Sequence, residues 1–262
     1  MLLAINANNT NTVFAVWDGD QLRGQWRAAT DARRTADEYV VWLDHLLALD
    51  GLSRDDVTGT IIGSVVPEAN FNLLTLCRRY CNSEPMVVGE PGVDLGARAL
   101  VDRPEEVGAD RLVNTIAAHD RYATPLIVVD FGTATTFDVV DEDGNYRGGV
   151  IAPGVNLSLD ALHQAAAKLP KVDVVKPPRV IGRSTIGAMQ SGIYWGYVGM
   201  VEGLIGRIRA EMVGNGIGAP RQVIATGGLA SLFSEATTAI DRIDDDLTLR
   251  GLAIINQLNR SP

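Results

Sequence analysis

A two-lobed α/β fold is what this sequence predicts, and three observations predict it. One pattern occurs twice. Leu126-Ile127-Val128-Val129-Asp130-Phe131-Gly132-Thr133-Ala134-Thr135-Thr136-Phe137 is an apolar run that breaks into a short hydroxyl-rich turn, and Leu2-Leu3-Ala4-Ile5-Asn6-Ala7-Asn8-Asn9-Thr10-Asn11-Thr12-Val13 reads the same way. Without gaps, Asn6 falls on Asp130, Asn8 on Gly132, Asn9 on Thr133, Asn11 on Thr135 and Thr12 on Thr136. Each copy continues into a second apolar strand and an acidic-glycine turn, Asp18-Gly19 and Asp143-Gly144. The second observation is that short apolar runs alternate with segments of helical period. The third is length: 262 residues hold two lobes at roughly 100–200 residues per domain. The repeat spacing divides them as 1–121 and 122–262.

Strands are expected at Leu2–Ile5, Val13–Trp17, Thr60–Val66, Met86–Val88, Leu126–Val129, Phe137–Val140, Val150–Ile151 and Gln222–Ala225. Several are uninterrupted apolar runs, as in strands covered on both faces. Thr35-Ala36-Asp37-Glu38 is a capping box, and Val40, Leu43, Leu46 and Leu47 then form one helical stripe. Pro67 and Pro104 each stand where a first helical turn accepts proline. Gly108 breaks the helical pattern, and Ala109 begins a new one through Leu112, Val113 and Ile116. From Ser184 to Met212, Ile186, Met189, Ile193, Tyr197, Val201, Leu204 and Ile208 recur at steps of three and four. Beside them runs a stripe of Gly192, Gly196, Gly199, Gly203 and Gly206. Each glycine costs about 1 kcal/mol relative to alanine in a helix. Close approach of another backbone is the expected reason, from the lobe's own sheet or from a partner subunit.

A net charge of −9 argues against nucleic acid or an anionic membrane as the main partner, since both attract a basic face. Cys77 and Cys81 are too few for a disulfide framework and have no matching ligand pair for zinc. There is no basic leader and no run of the roughly 20 apolar residues that a membrane span needs. A soluble, cytoplasmic protein is the expectation.

Three segments carry the polar chemistry. In Asp130-Phe131-Gly132-Thr133-Ala134-Thr135-Thr136, Gly132 permits close backbone approach to a phosphate, exposed amides and the Thr133 and Thr135 hydroxyls offer donors, and Asp130 is placed to hold a cation. The other reading is a plain hairpin with Asp and Gly in turn roles. In Glu106-Val107-Gly108-Ala109-Asp110-Arg111, the helix start presents free N–H groups to an anion, with a base and a cation side by side. The alternative there is an aspartate that serves the helix dipole. In Ala225-Thr226-Gly227-Gly228-Leu229, a buried strand ends in two glycines where an adenine or ribose can lie against backbone, or where there is only a turn. His45, His119 and His163 accompany no nucleophile pattern, so a hydrolase triad is not expected.

Together these elements resemble the type III pantothenate kinases, members of the actin-like, sugar-kinase and heat-shock ATPase superfamily. The matching stretches are Thr10-Asn11-Thr12, Ser64-Val65-Val66-Pro67, Glu106 to Arg111, Val129 to Thr136, Gly148-Gly149-Val150-Ile151-Ala152-Pro153-Gly154, Ala167-Lys168-Leu169-Pro170, Ala188-Met189-Gln190-Ser191-Gly192 and Ala225 to Leu229. They occur in the family's order across nearly the whole chain. The resemblance implies two ribonuclease-H-like lobes with mixed sheets flanked by helices, and a homodimer. It implies ATP-dependent phosphorylation of pantothenate to 4'-phosphopantothenate, the first step toward coenzyme A, with Mg2+ accompanying the nucleotide. Asp110 then takes the role of general base. Val101, Gly108, Ala109, Asp110, Arg111 and Thr185 correspond to the pantothenate contacts. Asp130 corresponds to the ligand of a monovalent cation (K+ or NH4+). The ATP contacts fall on Asn6, Asn8, Asn9, Thr10, Asn11, Thr12, Gly132, Thr133, Thr135, Gly227 and Gly228.

The first loop departs from the family pattern Asp-x-Gly-Asn-Thr and reads Asn6-Ala7-Asn8-Asn9-Thr10. Asn6 is nearly isosteric with aspartate but uncharged, and Asn8 replaces a glycine with a residue tolerant of positive φ. Many relatives carry tyrosine where Val101 aligns. These departures keep a second reading open: a catalytically silent relative that binds ATP or serves as a regulatory dimer.

Overall fold

The structure, a computed structural model, describes residues 1–166 and 168–260. Ala167 of the family-like stretch lies outside the described residues, as do Ser261 and Pro262. The chain forms two compact units, each built on one five-stranded sheet.

The first sheet contains β1 (Leu2–Ala7), β2 (Asn11–Asp18), β3 (Gln21–Ala29), β4 (Gly59–Ser64) and β5 (Met86–Val87), in the order β3-β2-β1-β4-β5. β1 pairs antiparallel with β2 across a tight turn and parallel with β4. The parallel pairing requires a long crossover, supplied by α1 (Ala36–Leu49). The second sheet contains β6 (Leu126–Phe131), β7 (Ala134–Val140), β8 (Tyr146–Pro153), β9 (Gln222–Thr226) and β10 (Arg242–Ile243), in the order β10-β9-β6-β7-β8. Read from its other edge this is the same topology, with β6 antiparallel to β7 and parallel to β9. The repeat seen in the sequence is a repeat of the fold.

Register refines the alignment of the two copies. Asn6 faces Val13 and Gly63, and Asp130 faces Thr136 and Thr226. Ala7 pairs with Thr12, whereas Phe131 pairs with Thr135. The first turn is therefore one residue longer than the second. Asn6 still matches Asp130, but beyond the turn Thr12 matches Thr135 and Phe14 matches Phe137, one step from the ungapped alignment. The burial agrees, since all four of those side chains are fully buried.

Both faces of the first sheet are covered. Leu3, Ile5, Phe14 and Val16 pack with Tyr39, Leu43 and Leu47 of α1 and with Leu73 of α2 (Pro67–Thr75). On the other face Leu2, Ala4, Val13 and Ile61 pack with Val113 of α3 (Ala109–Arg121). Leu249, Leu252 and Ile255 of the C-terminal helix complete that layer. In the second unit Ile127, Val129, Phe137 and Val223 share a core with Tyr194, Tyr197, Val201 and Ile205 of α5 (Thr185–Gly214), after α4 (Val155–Ala165). Phe233 of the short α6 (Ala230–Ser234) stacks on Phe131.

The units do not follow one cut at 121/122. The first comprises residues 1–97, 105–117 and the segment from Leu247 onward, and the second 98–104 and 118–246. The C-terminal helix α7 (Leu247–Arg260) returns to the first unit because its apolar face completes the layer over β1.

Local signals hold where they are chemical. Thr35 and Glu38 make both bonds of the capping box, and Pro67 opens α2. Ser184 caps α5, its Oγ accepting the Gly187 N–H at 3.1 Å. Pro104 instead heads a single 3-10 turn, Pro104–Glu106. β3 carried no clear sequence signal, because it is a half-exposed strand of alternating polar residues, held at the sheet edge by its ladder with β2. The glycine stripe of α5 does not pack on its own sheet: a Cβ at Gly192, Gly196, Gly199 or Gly206 meets nothing within 4 Å, and at Gly203 only the Arg207 side chain. Cys77, in a π-helical turn (Leu76–Tyr80), and Cys81, which follows it, are free and buried. Burial pushes their thiols up, to about 12 and about 11.

Candidate active site

In the second unit, backbone crowding builds a shaped polar corner at the end of β6. Gly227 has φ +91°, and a Cβ on it would lie 2.6 Å from Asp130 Oδ1 and 2.7 Å from the Phe131 backbone. Only glycine fits there, for both conformation and space. Gly154 does the same for the turn itself, since its Cβ would lie 2.0 Å from the Thr133 carbonyl oxygen and 2.8 Å from that of Gly132. The turn closes through the Gly132 N–H donating to the Ala134 carbonyl at 3.0 Å. Gly132 and Thr133 are exposed while Asp130 is half-buried behind them. Gly132 itself does not take positive φ, and a Cβ on it would make ordinary contacts of 3.5 Å with Asp130 Oδ1 and the Ala134 carbonyl. A Cβ at Gly228 would face open space, beside the crowded Gly227.

In the first unit the equivalent turn is closed by a backbone bond and held by Thr30. The Asn8 N–H donates to the Asn11 carbonyl at 3.0 Å, and Thr30 clamps the turn from β3's end. The Thr30 hydroxyl reaches the Asn8 carbonyl at 2.6 Å and lies 2.9 Å from Thr12 Oγ1, while the Thr30 N–H donates to the Thr10 carbonyl at 3.0 Å. Asn8 needs no left-handed backbone, since Asn82 is the one residue other than glycine with positive φ among those described. Asn9 and Thr10 are exposed, Asn8 and Asn11 half-buried, and Asn6 is 8% exposed.

The first turn of α3 presents Asp110. Its Oδ1 accepts the Arg111 N–H at 2.9 Å, and the Gly108 carbonyl accepts from Arg111 and Leu112. A Cβ on Gly108 would lie 2.7 Å from Asp110 Oδ1, so the glycine leaves the carboxylate its room. Ala109, Asp110 and Arg111 are half-buried, so the carboxylate is held by its helix while partly open to solvent. Deeper on the same helix Asn114 accepts the Thr248 hydroxyl at 2.7 Å.

The sequence-selected residues divide between the units. Asn6, Asn8, Asn9, Thr10, Asn11, Thr12 and Gly108 to Arg111 belong to the first. Val101, Asp130, Gly132, Thr133, Thr135, Thr185, Gly227 and Gly228 belong to the second. Within the second, Asp130, Gly132, Thr133 and Gly227 come together. Thr185 is exposed at the start of α5, and a Cβ on Gly148 would contact Val101 at 3.6 Å. The Thr12 and Thr135 side chains face the core. Both are fully buried, Thr12 bound to Thr30 and the Thr135 hydroxyl without a partner. Strand alternation turns them inward with Phe14 and Phe137. Thr30, which the sequence did not single out, and Gly154, which it marked only within a family-like stretch, shape the two turns; their partners lie some 20 residues away along the chain.

The donor set suits a cation shared with phosphate groups. Cations beside a nucleotide are typically held by a carboxylate together with substrate phosphate oxygens, and Asp130 is a half-buried carboxylate behind the exposed Gly132-Thr133 turn. Among the described residues no three His, Cys, Asp or Glu side chains gather into a metal cage, and no helix is long and apolar enough to cross a membrane.

Residues 2–207 match the family model described as type III pantothenate kinase. A type III pantothenate kinase of Rhodospirillum rubrum is 66% identical over 260 residues, 99% of each chain. That of Paramagnetospirillum magneticum is 63% identical over 262 residues, 100% of this chain and 99% of the other. Among solved structures, a candidate 2-dehydro-3-deoxygalactonokinase of Sinorhizobium meliloti shares the fold with a TM-score of 0.59 at 14% identity, covering 100% of both chains. An activator of 2-hydroxyisocaproyl-CoA dehydratase from Clostridium difficile, solved with ADPNP, gives 0.53 at 10% identity over 98% of this chain and 94% of that one. At such identities the structures speak for the fold alone, whereas the sequence match spans the whole chain: it belongs to the type III pantothenate kinase family.

Proposed function

We propose that this chain transfers the γ-phosphoryl group of ATP to the terminal hydroxyl of pantothenate, with Asp110 as general base. As a type III pantothenate kinase it is a phosphotransferase of coenzyme A biosynthesis. Phosphoryl transfer depends mainly on positioning and charge neutralisation, and the residues divide that work. The pantothenate hydroxyl oxygen attacks the γ-phosphorus, its proton passes to the Asp110 carboxylate, and ADP departs. Such a base is worth roughly 10²–10⁴ in rate. Gly108 keeps the carboxylate clear, and Arg111 with Val101 and Thr185 serves pantothenate binding. The exposed Gly132-Thr133 turn meets the phosphates through the Thr133 amide and hydroxyl, and Asn8 to Asn11 form the second phosphate turn. Gly227 and Gly228 border the nucleoside. Asp130 binds a monovalent cation, and Mg2+ bound with the nucleotide neutralises phosphate charge. The glycine stripe of α5, open on its outer side, supports a homodimer formed there.

The observation that carries this reading is the carboxylate of Asp110, presented by a helix start that Gly108 leaves uncrowded, in a chain alike to the pantothenate kinases from end to end. Incubation with ATP, magnesium, potassium and pantothenate is expected to yield phosphopantothenate by mass spectrometry. Asp110→Asn should reduce turnover at least a hundredfold with the fold intact. Full turnover in that variant removes Asp110 from the chemistry.

A further inference from the structure

The two sheets let this chain serve as its own reference. β1 and β6 are each six residues long, and Asn6 and Asp130 occupy the fifth position of each, facing matching partners on both sides. The chemistry at that shared position is unequal. From Leu2 to Trp17 the first hairpin has no charged residue, whereas Leu126 to Val140 carries Asp130 and Asp138.

We propose that Asn6 sets how this chain acquires its divalent cation: the free protein holds none at the first loop, and the cation is taken up only as the metal–nucleotide complex. The proposal rests on the phosphotransferase reading above. Asn6 is 8% exposed, and its Oδ1 lies 3.9 Å from the place of a Cβ on Gly63, so the side chain is enclosed where β1 meets β4. A carboxylate there, without a cation, is a buried unpaired charge, which is costly to fold around. The carboxamide avoids that cost because it needs no counter-ion. It also gives up the full charge that attracts a bare divalent ion, because an amide oxygen contributes only a dipole. Asp130, half-buried behind the exposed Gly132-Thr133 turn, does not face that penalty to the same degree. The first loop thus keeps its shape with or without metal.

The test is a Mn2+ titration followed by electron paramagnetic resonance, on the full chain without nucleotide and then with ADPNP. Wild type, Asn6→Ala and Asn6→Asp are compared. Without nucleotide, wild type and Asn6→Ala should retain Mn2+ equally, and Asn6→Asp at least tenfold more tightly. ADPNP should raise retention by wild type. Thermal melts give a second readout: Asn6→Asp should melt lower than wild type without Mn2+ and recover with it, while wild type without nucleotide should not respond to Mn2+. Tighter retention by wild type than by Asn6→Ala would overturn the proposal, as would an Asn6→Asp variant that binds no tighter. If Asn6→Asp fails to fold, the wild-type and Asn6→Ala comparison still decides. Failure of the kinase reading shows separately, as absence of phosphopantothenate from wild type.

Discussion

Replacing Gly154 by alanine puts a methyl carbon 2.0 Å from the Thr133 carbonyl oxygen, 2.6 Å from its carbon and 2.8 Å from the Gly132 carbonyl oxygen. Carbon–oxygen contacts settle near 3.3 Å or beyond, so the turn or the β8–α4 junction must yield by about 1 Å. The backbone at Gly154 (φ −71°, ψ 159°) is open to alanine, so the effect is steric and carries no conformational strain. Overpacking of this kind costs about 1–3 kcal/mol of stability. A displacement of about 1 Å in a positioning element costs on the order of a hundredfold in rate. Urea denaturation measures the first effect, and calorimetric ADPNP titration with steady-state kinetics measures the second. Turnover and ADPNP affinity equal to wild type in a folded Gly154→Ala protein would refute the assignment of the Gly132-Thr133 turn to the phosphates.

Two further outcomes follow from local geometry. Gly228→Ala meets no atom within 4 Å, so stability should stay within about 0.5 kcal/mol of wild type. ADPNP affinity should fall if a nucleoside lies on that backbone; unchanged affinity removes Gly228 from the site. The thiols of Cys77 and Cys81, raised to about 12 and about 11 from 9.0, stay protonated in the fold while an unfolded chain ionises them. Their contribution is therefore complete below pH 9 and is lost as pH rises through the alkaline range, each thiol taking away about 1.4 kcal/mol between pH 8 and pH 10. Denaturation across that range checks this against a Cys77→Ala/Cys81→Ala protein, and an equal pH slope in both would refute the burial argument.

Much of the fold was legible because its signals are local. Uninterrupted apolar runs mark β1 and β6, and the Thr35–Glu38 and Ser184 caps mark where α1 and α5 begin. β3 escaped because a solvent-facing edge strand needs no apolar pattern, only a partner for its ladder. The turn offset escaped for a related reason: both copies are polar and hydroxyl-rich, so composition does not reveal which residue is extra. Pairing of Ala7 with Thr12 and Phe131 with Thr135 does. That one-step slip separates threonines that face the core from those that face outward, since side chains alternate along a strand.

The sequence by itself determined the chemistry that is repeated, the absence of charge from Leu2 to Trp17, the carboxylates of Asp110 and Asp130, and the family to which the chain belongs. Those are properties of residue type and spacing, which need no partner to be read. Only the tertiary structure decided that α7 completes the first sheet, that Thr12 and Thr135 are enclosed, and that Gly154 and Gly227 shape the turn around Asp130. Each of those depends on van der Waals contact between segments distant in the chain, and a contact of that kind exists only once the strands have chosen their neighbours and their register.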